Sequence, residues 1–210
     1  MIKILLIKHG SLGDIVFSLP VIHSIYAHFS NKQIDLLTER KYSFFLRNSK
    51  YFEKIIQDNR SSNFFLTIKL LFKLLNNKYD FIIDLQNSSR TSYYNLFFRI
   101  FSKSKIISSR NFAHFKYIIP KQGTETTTQG LFNQVKLLNI NETNSINYDW
   151  LNNDLDKIYD NKTILFIPGV SSKGLYKQWN PEKFGLLAKY YEDKNYQICV
   201  VGTSNDIDSA

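Results

Sequence analysis

A single cysteine, Cys199, leaves this 210-residue chain unable to form an intramolecular disulfide, and a chain without cross-links is at home in a reducing compartment. Cys199 lies in the apolar run 198–201, which reads as a buried strand rather than a nucleophile's setting. No uncharged apolar run approaches the roughly 18–20 residues that cross a bilayer. Residues 2–7 run directly into Lys8 and His9, too short for the apolar region of a secretory signal, so none is expected. Glycine is sparse, at eight residues, and neither common nucleotide-binding glycine pattern is complete. G-x-G-x-x-G is reduced to G-x-x-G at Gly10–Gly13, and a phosphate loop would need Lys-Ser/Thr where Asp14-Ile15 stand. His9, His23, His28 and His114 show no metal-ligand spacing. The D-x-D pairs at 154–156 and 206–208 are of a kind that arises readily by chance. No metal is assigned.

What the chain does have is a 43% hydrophobic share with clear periodicity, enough for a real core. Strand-like runs at 2–7, 34–38, 80–85, 105–108, 163–167 and 197–201 alternate with helical stretches. That pattern predicts an α/β fold with a parallel sheet covered on both faces. Residues 141–162 are rich in Asn and Asp and poor in apolar residues. They are read as a linker between a Rossmann-like domain over 1–140 and the start of a second α/β unit over 163–210.

Charge is unevenly placed. Residues 1–120 hold 18 basic and 7 acidic side chains, a net of +11, and residues 121–210 a net of −2. A basic first half points to phosphorylated lipid, an acidic membrane surface or nucleic acid. Codon bias in a chain crowded with Asn, Ile, Tyr and Phe accounts for it equally simply. No nucleic-acid motif accompanies the charge, so no nucleic-acid partner is expected. The segment 64–75 (FFLTIKLLFKLL) is apolar nearly all round, with Lys69 and Lys73 one turn apart. A helix buried on most sides is the expectation, and one lying in a membrane interface the alternative.

The loop Lys8-His9-Gly10-Ser11-Leu12-Gly13-Asp14 follows the first strand and opens a helical segment over 15–28. A carboxylate is thereby placed at the carboxyl end of a parallel sheet, where such folds keep their sites. The glycines permit a tight turn and close ligand approach. An acidic residue where a phosphate cradle wants a cation suits a base or a hydroxyl-binding group. Equally, Asp14 is a good residue to cap the helix and do nothing else.

Three patches in order resemble glycosyltransferase family 9, the ADP-heptose:lipopolysaccharide heptosyltransferases. They are G-S-L-G-D-I-V-F-S-L-P from Gly10, Y-D-F-I-I-D-L-Q from Tyr79 with Arg90 beyond, and I-P-G-V-S-S from Ile167 followed by K-Q-W-N-P-E-K-F from Lys177 and V-G-T from Val201. The resemblance implies a GT-B architecture of two Rossmann-like domains, the first receiving a lipid acceptor and the second a nucleotide sugar. It implies an inverting transfer of heptose or a related sugar from a nucleotide diphosphate donor such as ADP-heptose to a lipopolysaccharide or lipid A-core acceptor, without a metal. In that likeness Asp14 is the general base, Lys177, Ser171 and Ser172 bind donor phosphates, and Gly10, Ser11, Gly13, Gln86 and Arg90 serve the acceptor. Asp80, Asp84, Gln86 and Arg90 form a second tier, for which capping of the next helix by Asp84 and Gln86 and pairing of Arg90 with one of the acids is an equally good account. Leu12, Ile15 and Val16 are expected to strip water from Asp14 and so strengthen it as a base.

The resemblance further implies a cytoplasmic protein peripheral on the inner face of the membrane. Asn180 departs from the usual K-R-W-P, and the Gly169–Lys177 loop is about one residue long. The chain stops at Ala210 before a downstream glycine- and aspartate-rich loop, which leads to the expectation of an incomplete donor domain and an inactive fragment. A non-catalytic module binding anionic glycolipid or protein, left from such an enzyme, is the rival reading. An unrelated Rossmann-like nucleotide binder is a third.

Overall fold

The computed structural model describes residues 1–121, 123–143, 146, 148–151, 162–170 and 172–202, the side chains of 172 and 173 excepted. The chain divides into two compact units, Met1–Leu151 and Asn152–Ala210.

The first unit is a six-stranded, wholly parallel sheet: β1 (Ile2–Ile7), β2 (Lys32–Thr38), β3 (Lys54–Gln57), β4 (Phe81–Asp84), β5 (Lys105–Ser108) and β6 (Phe115–Lys116). The strand order is β3-β2-β1-β4-β5-β6. That is the doubly wound order, and its reversal falls between β1 and β4, where such sheets bind ligands beyond their carboxyl ends. Register follows the apolar runs, with Ile7 opposite both Leu37 and Asp84.

Alternation along β1 divides the core in two. Ile4 and Leu6 face a cluster with Ile15, Leu19 and Ile22 of α1 (Leu12–His28) and Phe132 and Val135 of α5 (Thr127–Val135). Leu5 and Ile7 face Leu71 and Leu74 of α3 (Phe64–Leu75) and Tyr94 and Phe98 of α4 (Ser89–Phe101). Each such side chain withdrawn from water stabilises the fold by about 1.5–3 kcal/mol. Helix α2 (Arg40–Leu46) lies between β2 and β3.

Three expectations are corrected. The strand β3 was not anticipated: its four residues, KIIQ, are half polar and carry no alternation long enough to read, as befits a short edge strand. Helix α3 is not buried on most sides. Only Leu71 and Leu74 are, while Phe64, Phe65, Leu66 and Phe72 lie open. Trp150, expected in a linker, packs its ring 5.5 Å from Phe45 and belongs to the first unit; residues 152–161 lie outside the described residues. His23 packs edge-on against Tyr51 at 5.7 Å.

The second unit, taken by itself, is a βαβ: β7 (Thr163–Phe166) pairs in parallel with β8 (Gln197–Val200), joined through α6 (Pro181–Glu192). Phe184 is its pivot, 5.5 Å from Phe166 and 4.7 Å from Trp179. Leu165, Ile167 and Leu186 are exposed. Two strands and one helix cannot enclose much apolar area.

Candidate functional site

The loops after β1 and β4 meet at the point where strand order reverses. Ser11 is the N-cap of α1, and Asp14 stands in its first turn. Asp14 Oδ2 accepts the Ser11 backbone N–H at 2.8 Å and the Ser11 hydroxyl at 3.1 Å. Its Oδ1 accepts no hydrogen bond among the described residues. Asp14 is thus a helix cap with one carboxylate oxygen uncommitted. The expected shielding by its neighbours is corrected: Ile15 turns into the core, but Leu12 and Val16 are exposed, as is Phe17. They form an open apolar surround that shields nothing until something covers it.

Gly10 and Gly13 differ in kind. Gly10 has φ +130, and a Cβ there would lie 2.1 Å from the Tyr42 ring. Both the backbone and the neighbour demand glycine. A Cβ on Gly13 would meet nothing within 4 Å, so folding does not require glycine there. Gly10→Ala is therefore expected to cost about 3 kcal/mol in urea denaturation, from strain and overpacking together. Gly13→Ala should be neutral, or stabilising by up to about 1 kcal/mol through helix propensity. If an acceptor passes close over Gly13, the same substitution raises the acceptor KM in the stable protein. An unchanged KM removes Gly13 from the site.

Gln86 holds the glycine loop in place. Its Oε1 accepts the N–H groups of His9 at 2.9 Å and Gly10 at 3.3 Å. Behind it Asp84, with no exposed surface, accepts from the Gln86 and Asn87 backbones and from the Ser108 hydroxyl at 2.8 Å. Burial pushes its carboxyl up, and those hydrogen bonds pull it partly back. Asn87, at φ +52, bonds Gln134 of α5 at 2.7 Å, and Gln134 in turn donates to Asp84 O at 2.9 Å. Asp80 stands at the other end of β4, accepting the Lys3 N–H at 2.8 Å, and takes no part in this edge.

Sequence reasoning passed over three residues under the loop. Lys8 is 5% exposed and its Nζ donates to Leu85 O at 3.2 Å. Burial pulls its ammonium below the ordinary range, against the attraction of Asp14 and Asp84. A lysine directly following the apolar run Ile4–Ile7 of the central strand was the available signal. His9 is 1% exposed, with Nε2 3.0 Å from Asp58 Oδ2, close enough for ion pairing though poorly aimed as a hydrogen bond. Asp58 also accepts from Tyr94 Oη at 2.7 Å and the Arg60 N–H at 2.8 Å. Burial alone would raise this carboxyl; the contacts with His9, Tyr94 and Arg60 outweigh burial and hold it at about 2.

Arg90 completes this network. Its Nε donates to Tyr94 Oη at 2.5 Å, and one terminal nitrogen donates to Ser61 O at 2.9 Å and Thr67 Oγ1 at 3.0 Å while lying 3.9 Å from Asp58. That guanidinium fastens the start of α3 to α4. These bonds engage Nε and one terminal nitrogen; the other terminal nitrogen donates no hydrogen bond among the described residues, and the side chain is 24% exposed.

In the second unit Lys177 ends a 3-10 turn, Ser172–Lys177, is exposed, and holds its Nζ 5.4 Å from the centre of the Tyr176 ring. Asn180 is the N-cap of α6, accepting the Glu182 N–H at 2.7 Å, with Pro181 as the first helical residue. The departure from K-R-W-P thus supplies a helix cap. Ser171 lies outside the described residues, as do both D-x-D pairs, and the side chain of Ser172 is not described.

A doubly wound first unit with its polar cluster at the carboxyl edge, followed by a second parallel βαβ, is the arrangement of a GT-B glycosyltransferase fold. The profile of glycosyltransferase family 9 (heptosyltransferase) matches residues 67–210, well over half of the chain, and the chain belongs to that family. Similar solved structures include a family 9 glycosyl transferase from Veillonella parvula, at 18% identity and TM-score 0.73, covering 98% of this chain and 64% of that one. E. coli heptosyltransferase WaaC with ADP-2-deoxy-2-fluoro heptose is 15% identical at TM-score 0.71, covering 100% and 72%. E. coli ADP-heptose lps heptosyltransferase II is 17% identical at TM-score 0.72, covering 99% and 66%. The chain therefore spans 64–72% of the length of these relatives. No curated protein sequence is significantly similar to it.

Proposed function

We propose that the chain serves an inverting transfer of heptose or a related sugar from a nucleotide diphosphate donor to a lipopolysaccharide or lipid A-core acceptor at the inner face of the cytoplasmic membrane. The observation that carries this reading is the uncommitted Oδ1 of Asp14 at the β1/β4 switch point, in a chain of family 9. The acceptor hydroxyl gives its proton to that oxygen as it attacks the anomeric carbon. The bond from that carbon to the diphosphate breaks on the opposite face, which inverts the configuration. Lys177 neutralises the departing diphosphate, Ser171 and Ser172 are assigned to the same phosphates by family likeness, and no metal is assigned. Gln86 and Arg90 act as positioning residues, the first for the glycine loop and the second for the network beneath it. Gly10 shapes the turn and Ser11 fixes the Asp14 rotamer.

Incubation of a version extended to the length of the family 9 relatives, with ADP-heptose or another nucleotide sugar and a glycolipid acceptor, is expected to yield a product of inverted anomeric configuration. Absence of transfer from every nucleotide sugar tried overturns the reading. Lys177→Ala is expected to raise the donor KM about tenfold or more and leave the acceptor KM unchanged, since it removes one charge-assisted phosphate contact. One observation favours a non-catalytic glycolipid-binding module instead: Asp14 is already employed as a cap. Glycolipid binding indifferent to Asp14→Asn, with no turnover, would establish that alternative.

A further inference from the structure

We infer that the solvent face of α3, continued by the end of α4, seats this protein on a bilayer of anionic phospholipid. The inference rests on the reading that the acceptor is lipid-linked, and it names the surface by which the site reaches that lipid. Phe65, Lys69, Phe72 and Lys73 recur at helical spacing along one side of α3, and all four are exposed, as is Leu66 beside them. Phe65 is 79% exposed. Scattered surface apolar residues are ordinary, but a run of them on one helix, interleaved with lysines, is the pattern of a helix lying in a membrane interface. The face does not stop at α3. The Phe72 ring lies 5.1 Å from that of Phe97 and 6.1 Å from that of exposed Phe101 on α4.

Charge selects the occupant. Residues 61–120 contain nine Lys and Arg against two acidic residues. Of those two, Asp84 is fully buried and Asp80 binds the Lys3 backbone. Asp58 lies near Lys69 and Lys73 but is 2% exposed and engaged by Tyr94 and the Arg60 N–H, so the exposed charge of this face is basic and draws a surface of anionic headgroups. A second copy of the chain would set lysines against lysines across a two-fold axis, which is repulsive. A hollow of about 260 Å³ lies between Leu66, Lys69 and Lys73 and the loop after β3, with Asp58 at its base, so headgroups meet the lysines at its rim and not within it.

Position gives the contact its use. Helix α3 follows a parallel strand, so its first turn lies at the carboxyl edge of the sheet that also carries the glycine loop. Phe65 and Leu66 would enter the interface at that edge. Arg90 then ties this first turn, through Ser61 and Thr67, to the network beneath His9.

Sedimentation with vesicles tests this, using phosphatidylcholine alone and phosphatidylcholine mixed with phosphatidylglycerol, without glycolipid or nucleotide sugar. The protein is expected to partition about tenfold or more in favour of the mixed vesicles, and to be released by high salt. Phe65→Ser with Phe72→Ser, and separately Lys69→Glu with Lys73→Glu, should each reduce binding by about tenfold. Circular dichroism should remain that of the parent, because all four side chains are exposed. Phe44→Ser, equally exposed on α2, should leave binding unaltered. Equal binding to neutral vesicles, or variants that bind as the parent does, overturns the inference. So does a dimer, seen by ultracentrifugation, that the Phe65/Phe72 variant abolishes. Because the vesicles carry no substrate, failure here and failure of sugar transfer are read separately.

Discussion

Asp14→Asn is expected to lower the rate of sugar transfer by about 10²–10⁴-fold while leaving donor binding and the melting temperature nearly unchanged. The amide retains an oxygen that can accept the Ser11 N–H, so the cap geometry at Oδ2 can survive. What disappears is the negative charge and the ability to take a proton. The loss of charge at the helix N-terminus costs about 0.3–1 kcal/mol, small beside the kinetic effect. Single-turnover measurement with saturating donor separates the two. A large drop in rate with an intact fold assigns the proton to Asp14; a fall in rate that merely follows loss of folded protein leaves Asp14 as a cap. Ser11→Ala is the companion variant, since it removes the hydroxyl that helps fix the Asp14 rotamer and should cost far less than Asp14→Asn.

The second large effect concerns Asp58. Its folded-state carboxyl is held at about 2, below the ordinary 3.8. A depressed carboxyl contributes stability that is fully present above pH 4 and is lost as pH falls from about 4 towards 2. The shift corresponds to roughly 2 kcal/mol. Urea midpoints measured down that range should therefore fall more steeply in the parent than in Asp58→Asn, which has nothing left to protonate there. At neutral pH Asp58→Ala should destabilise the first unit by about 3–5 kcal/mol, because Tyr94 and the Arg60 N–H lose their shared acceptor and Arg90 its nearest carboxylate at a largely buried position. A neutral Asp58→Ala would mean that water enters and solvates those groups.

Much of the sheet was legible because its strands are apolar and short. β1 and β5 begin and end where their Ile-rich runs do, and β4 loses only the residues at its ends. β3 was invisible for the reason it is tolerated: a four-residue edge strand can be half polar. That single omission hid the site's foundation, since Asp58 acquires meaning only once it is known to follow a strand. The glycine loop was legible from residue order, and so was Asp14 as either cap or base. Its free oxygen depends on which way the Ser11 hydroxyl points, a matter of rotamers and not of spacing. The internal partners of Arg90 were hidden for a related reason: a motif fixes where a residue stands, but Ser61 and Thr67 come from another segment. For α3, the alternation of phenylalanine and lysine was plain, but which stripe faced the sheet was decided by Leu71 and Leu74, with Ile68, Leu70 and Leu75 packed beside them.

The contact between Gly10 and Tyr42 bears on how such a sequence can drift. Two separate locks hold position 10, one in its own backbone at φ +130 and one in the ring of its neighbour. Shrinking Tyr42 opens only the second, because a left-handed backbone still disfavours any side chain. Descent is therefore one-way: a lineage can discard the tyrosine and keep its glycine, whereas one that discards the glycine first meets both obstacles together. Among diverging copies of this gene, position 42 should wander long before position 10 does.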